Sequence, residues 1–214
     1  MYDLLRGWIR SFFLFSHALL LWTALPASGP FLSVGLKAGV PLTSAFSTVQ
    51  TGHAAADSYD RSYIVGPTAE IRLPFHLSFE ADALYRRNGF TYYSGGFGFG
   101  TPFYVPPSVN RTSLNDWQFP FLGKYEWKFG LLRPFVDAGV VYRHLSVSNT
   151  VLLRPGNPNT TGLIVGGGVS FKLLLLRLSP EIRYTHWFTP PFQSGDLVVQ
   201  STTNQADFLL GISF

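Results

Sequence analysis

His144 and Ser146 stand two residues apart, after Arg143 and ahead of Ser148 and Asn149. A serine hydroxyl is a poor nucleophile until a base takes its proton, and an imidazole is the usual base. The ring must also be held in one tautomer, most often by a carboxylate. No Asp or Glu occurs between Asp137 and Glu181, so the sequence near this pair supplies no such acid. The competing reading is a polar strand end. His76, Ser78 and Glu80 hold all three residue types, but at alternate positions of one extended segment they lie in a row and do not converge. His17, His53, His76, His144 and His186 show no metal-ligand spacing. With no cysteine there is neither a thiolate nor a disulfide. The run Gly95 to Gly100 lacks the Lys-Ser/Thr ending of a phosphate cradle. No metal or cofactor is expected.

The other ionisable residues follow a different pattern. The acids Glu70, Glu80, Asp82, Glu126, Asp137, Glu181 and Asp207 alternate with apolar neighbours. So do the bases Lys37, Arg72, Arg86, Lys124, Arg143, Lys172, Arg177 and Arg183. Alternation has a period of two, which is that of a strand. Phe75 to Arg87 shows it most cleanly: Phe75, Leu77, Phe79, Ala81, Ala83 and Tyr85 interleave with His76, Ser78, Glu80, Asp82 and Arg86. Eight such segments are predicted, spanning 31–42, 61–73, 75–87, 114–127, 134–145, 161–172, 175–187 and 204–214. Pro67 weakens the second locally. The connections after the second, fourth and sixth are short. Those at 43–60, 88–113, 148–160 and 189–203 are long.

Every segment thus has a polar and a bulky apolar face, and the question is which face is enclosed. Phe75, Phe79, Trp117, Phe119, Phe121, Trp127, Phe171, Phe208 and Phe214 share the apolar side. A barrel of eight strands has an interior just wide enough for side chains. So many rings would overfill it, which puts them outside and the balanced charges inside. An unpaired charge there would cost several kcal/mol, so these acids and bases are expected to form a paired lumenal network. Tyr63, Tyr85, Trp117, Trp127, Tyr142 and Trp187, near strand ends, are expected in interfacial girdles.

The final segment, Asn204 to Phe214, places Phe208, Leu210, Ile212 and Phe214 on one face and ends on an aromatic residue. With its alternating short and long connections, the chain resembles the small bacterial outer-membrane barrels of OmpA/OmpX type. That resemblance implies an all-β, eight-stranded antiparallel up-and-down transmembrane barrel, built from residues 30–214, in the envelope of a Gram-negative cell. It implies contact with outer-membrane lipid and lipopolysaccharide. It also implies that the barrel assembly machinery reads Phe208, Leu210, Ile212 and Phe214, and that an extracellular ligand would meet the four long loops. Residues 1–29 read as an export signal: Arg6 and Arg10, an apolar stretch from Phe12 to Ala24, then Pro26 and the small residues Ala27, Ser28 and Gly29.

Composition supports this class. Charged residues are only 13% of the 214, while hydrophobic residues reach 46% and aromatics 16%, yet no apolar run after the signal approaches the roughly 20 residues of a spanning helix. The net charge of +4 is scattered, with no basic tract for nucleic acid. The expected role is structural or surface-interacting and non-enzymatic. Three alternatives stand beside it: a narrow porin-like pore, a secreted ligand-binding barrel, and a lipid-modifying hydrolase. The last rests on Arg143-His144-Leu145-Ser146, which resembles the Arg-His-x-Ser-Asn signature of outer-membrane lipid A deacylases. The resemblance implies a lipid-facing His that activates Ser, with a Glu about one strand later. This chain departs from the signature, since Val147 and Ser148 separate Ser146 from Asn149.

Overall fold

The computed structural model describes residues 31–48, 54–58, 63–97, 104–147, 157–173, 175–190 and 199–214. The expected signal at 1–29 lies outside them, as do parts of the four long connections. The barrel strands are β1 (Leu32–Pro41), β2 (Tyr63–Arg72), β3 (in two stretches, Leu77–Asp82 and Leu84–Phe97), β4 (Tyr104–Glu126), β5 (Leu132–Val147), β6 (Asn159–Leu173), β7 (Leu176–Trp187) and β8 (Asn204–Ser213). Each pairs antiparallel with its neighbour in sequence. β8 returns to β1 in the register Leu36↔Ile212 and Ala38↔Leu210, which closes the barrel. At the seam the Phe214 amide donates to Val34 O and the Ser33 hydroxyl donates to Phe214 O. Closure leaves the barrel wall itself without an open edge.

The interruption of β3 has an identifiable cause. Ala83 donates its amide to Pro67 O at 3.0 Å, but Pro67 has no N–H to return. The pairing between β2 and β3 is therefore broken after Thr68↔Asp82 and resumes at Val65↔Tyr85.

Three local expectations are corrected. Phe75 and His76 do not begin β3. Both have φ of 63° and form the two-residue turn between Pro74 and Leu77, where a tight hairpin of primed type needs positive φ at both centres. The segment 88–113 is not simply a loop: β3 and β4 keep pairing up to Phe97↔Tyr104, with one irregularity between Ser94 and Gly96. Its Tyr, Thr, Val and Phe residues favour extended backbone despite the many Gly and Pro. Ala54–Ser58 adds to the outer side of this arm by pairing with Phe90–Ser94. Phe46–Thr48 pairs with Val199–Ser201, linking two other long connections.

Candidate functional site

The wall is sided as its ring volumes demand. Phe79 and Phe121 are 54% and 49% exposed on the outside, while Glu80 and Lys124, their immediate or near neighbours, are 2% exposed in the lumen. Phe208, Leu210, Ile212 and Phe214 all face outward from β8.

Near the short-turn end the lumen holds one branched ionic network. Lys37 from β1 reaches Glu80 at 2.5 Å, Glu181 at 3.1 Å and Asp82 at 3.6 Å. Arg183 from β7 contacts the same three carboxylates at 2.5–2.6 Å. Lys124 joins Glu80 at 3.2 Å to Glu70 at 3.5 Å and lies 3.8 Å above the Phe135 ring. Arg177 continues from Glu70 to Glu126, and Arg72 and Arg133 complete the two acids at the rim. Asp137 sits among these groups with neither oxygen hydrogen-bonded. Counting it, six cations face six carboxylates. Gly166 and Gly168 make the space: a Cβ at the first would stand 2.6 Å from Asp137 Oδ1, and at the second 2.8 Å from Phe135 Cζ. A cavity of about 20 Å³ between Lys37, Glu70, Glu80, Lys124 and Ser179 is of the size that holds a water.

Toward the other end the lumen turns apolar. Ile64, Leu84 and Leu209 form one buried cluster, and Leu122, Val141, Ile164 and Trp187 form another. Beyond them lie two separate ion pairs. Arg143 grips Asp116 with two bonds, Nε to Oδ1 at 2.9 Å and Nη2 to Oδ2 at 2.6 Å, and Asn88 and Gln118 donate to the same carboxylate. Arg86 pairs with Asp207 and also donates to Gln205. The Arg143 guanidinium lies 4.8 Å over Trp187. Trp187 was expected in an outer girdle and is instead 1% exposed inside. It continues the inward row of Arg183 and Thr185, and Gly162 beside it leaves room for the indole.

One lumenal assignment fails. Lys172 is exposed and pairs with no acid among the described residues, because it stands at the short-turn mouth where solvent is within reach. Arg177, directly opposite it in the ladder, takes the inward contacts. Two enclosed charges stand outside the expected set. Asp116, the partner of Arg143, shares the polar face of β4, and Arg133, at the rim of the network, lies one position before the predicted start of β5.

No protein-family model and no curated protein matches this sequence. Among solved structures the chain is similar to Neisserial surface protein A, with 18% identity and a TM-score of 0.50 over 86% of this chain and 96% of that one. It also matches the N-terminal β-barrel domain of Pseudomonas aeruginosa OprF at 14% identity and a TM-score of 0.38, covering 85% and 97%. The fold, a closed eight-stranded antiparallel up-and-down barrel, is the one shared with Neisserial surface protein A.

On such a barrel the upper outer wall becomes informative. Asn159 Oδ1 receives the Tyr142 hydroxyl at 3.0 Å and His144 Nδ1 at 2.7 Å. Asn204 Oδ1 receives Tyr184 at 2.9 Å and His186 Nδ1 at 2.7 Å. These are two copies of one Tyr-x-His clamp. In each, an amide acceptor puts the proton on Nδ1 and leaves Nε2 as the open position. A third tyrosine, Tyr85, donates to Asn115 Oδ1 at 2.7 Å. Ser146 donates at 3.5 Å to Asn115 O and not to His144. His76 lies in the turn at the opposite end, edge-on to Tyr125, while Ser78 and Glu80 point into the lumen. The three form no constellation. Among the described residues no His/Cys/Asp/Glu group could hold a metal.

Proposed function

We propose that the chain is an integral outer-membrane barrel of structural or surface-interaction type, non-enzymatic, with a lumen filled by paired charges and apolar tiers. The supporting observation is the inversion of the wall. Every carboxylate whose side chain is described is enclosed, and among the described residues the large rings other than Phe135 and Trp187 are outside. That arrangement suits a hydrocarbon surround, where exposed charge is costly and backbone must be paired internally. Fractionation tests it: the protein is expected with outer-membrane vesicles, extractable by detergent only, and migrating differently before and after boiling. Release by salt or alkali alone would refute the reading. Planar-bilayer recordings are expected to stay silent, since two apolar clusters and the Arg143–Trp187 contact fill the lumen. The long connections at 43–60, 88–113, 148–160 and 189–203 are the proposed meeting points for an outside ligand. The outward β8 residues Phe208, Leu210, Ile212 and Phe214 are the proposed assembly signal.

The hydrolase reading gains one point, because Asn159 orients His144 as the third member of a triad would. The second clamp supplies an internal control. His186 is held by Asn204 with the same geometry, but the residue two positions on is Phe188. A clamp that forms without a nucleophile is a device of the wall. Lipid A from cells with and without the protein is expected to carry the same number of acyl chains, as read by mass spectrometry.

A further inference from the structure

The same absence of outward acids gives the upper wall a specific chemistry. Arg87, Asn115 and Ser146 stand directly opposite one another across β3, β4 and β5. Their side chains face outward, and side chains so paired are about 5 Å apart. Arg87 is exposed, and no carboxylate pairs with it among the described residues. Tyr85 occupies Asn115 Oδ1, so the amide NH2 is left as a donor. The Ser146 hydroxyl, held only by its long 3.5 Å bond to Asn115 O, can turn from it to complete a short row of donors around one guanidinium. Just beneath, toward the barrel's waist, Trp117, Phe119 and Tyr142 form a continuous aromatic patch with centroid spacings of 6.4 and 6.3 Å.

We infer that Arg87, Asn115 and Ser146 bind the phosphate of a multi-acyl lipid in the outer leaflet, its chains lying on the Trp117–Phe119–Tyr142 patch. A guanidinium matches phosphate oxygens with two parallel bonds, and neutral donors beside it suit the remaining oxygens. The aromatic patch distinguishes an amphiphile from a free anion, because inorganic phosphate would gain nothing from it. The inference rests on the proposed membrane location of the barrel.

Native mass spectrometry of the full barrel in maltoside micelles tests it, with diphosphorylated lipid A as the probe. Wild type is expected to retain the lipid, and Arg87→Gln to lose retention about tenfold, the scale of one charge-assisted contact. Arg87→Lys is expected to fall between them, because it keeps charge without the fork. Lipid A stripped of phosphate should bind wild type as weakly as diphosphorylated lipid A binds Arg87→Gln. Equal retention by wild type and Arg87→Gln, both heat-modifiable, would overturn the site while the barrel stands. Displacement of the lipid by millimolar inorganic phosphate would overturn the lipid as ligand. A wild-type chain that never becomes heat-modifiable in micelles would instead remove the membrane reading beneath it.

Discussion

The two charged regions of the lumen are built on different plans. Near the short turns, every carboxylate but Asp137 serves at least two cations, and Lys37, Lys124, Arg177 and Arg183 each serve at least two carboxylates, with Glu80 touching Lys37, Lys124 and Arg183. Near the long connections, Arg143–Asp116 and Arg86–Asp207 are self-contained. Leu84 stands between Asp82 and Arg86 on β3, and Leu122 between Gln118 and Lys124 on β4, so the apolar tier separates the two plans strand by strand. A branched network spreads the neutralisation of one charge over many partners, and losing a hub leaves several uncompensated. A bidentate pair confines the loss to one partner.

The largest effect should follow from cutting the hub. Glu80→Gln leaves Lys37, Lys124 and Arg183 short of a counter-charge and is expected to cost about 3–5 kcal/mol, the scale for breaking a buried pair. The measurement is the urea midpoint of the barrel in lipid vesicles, followed by heat-modifiable migration. Asp116→Asn strands only Arg143 and keeps acceptors in place, so a smaller cost of about 1.5–3 kcal/mol is expected by the same assay. Should Asp116→Asn prove the more damaging, the contrast between network and pair would fail. Asp137→Asn sharpens the comparison at the low end. Asp137 accepts no hydrogen bond, so local contact energy predicts a change below about 1 kcal/mol. A cost as large as that of Glu80→Gln would show that the network is balanced as a whole, with Asp137 as its sixth carboxylate. At the turn, His76→Gly is expected to stabilise by up to about 1 kcal/mol, because glycine removes the penalty of a left-handed backbone.

The strands and their sidedness were legible because ring volume and charge alternate so regularly. Phe79 beside Glu80, or Phe208 beside Asp207, can be enclosed in only one way. Ends were harder to read. Lys172 and Trp187 obey the same alternation as their neighbours, but in the last two positions of a strand the mouth decides whether a side chain finds water or a pocket. Lys172 found water, and Trp187 found the space beside Gly162 and Arg143. Alternation also hid the apolar tier, since Ile64, Leu84, Leu122 and Leu209 occupy inward positions that are polar elsewhere on their strands. The clamps left a faint trace, the repeated Tyr-x-His at 142–144 and 184–186. Their asparagines come from neighbouring strands, and only the register reveals them.

The arm formed by β3 and β4 changes what it would take to grasp this molecule from outside. The ladder persists to Phe97 and Tyr104, which pair across it. A visiting partner would find most of this protrusion already frozen. The entropy of ordering the residues of 88–97 and 104–113, of order 1–2 kcal/mol for each backbone unit, has been surrendered during folding and need not be lost again on contact.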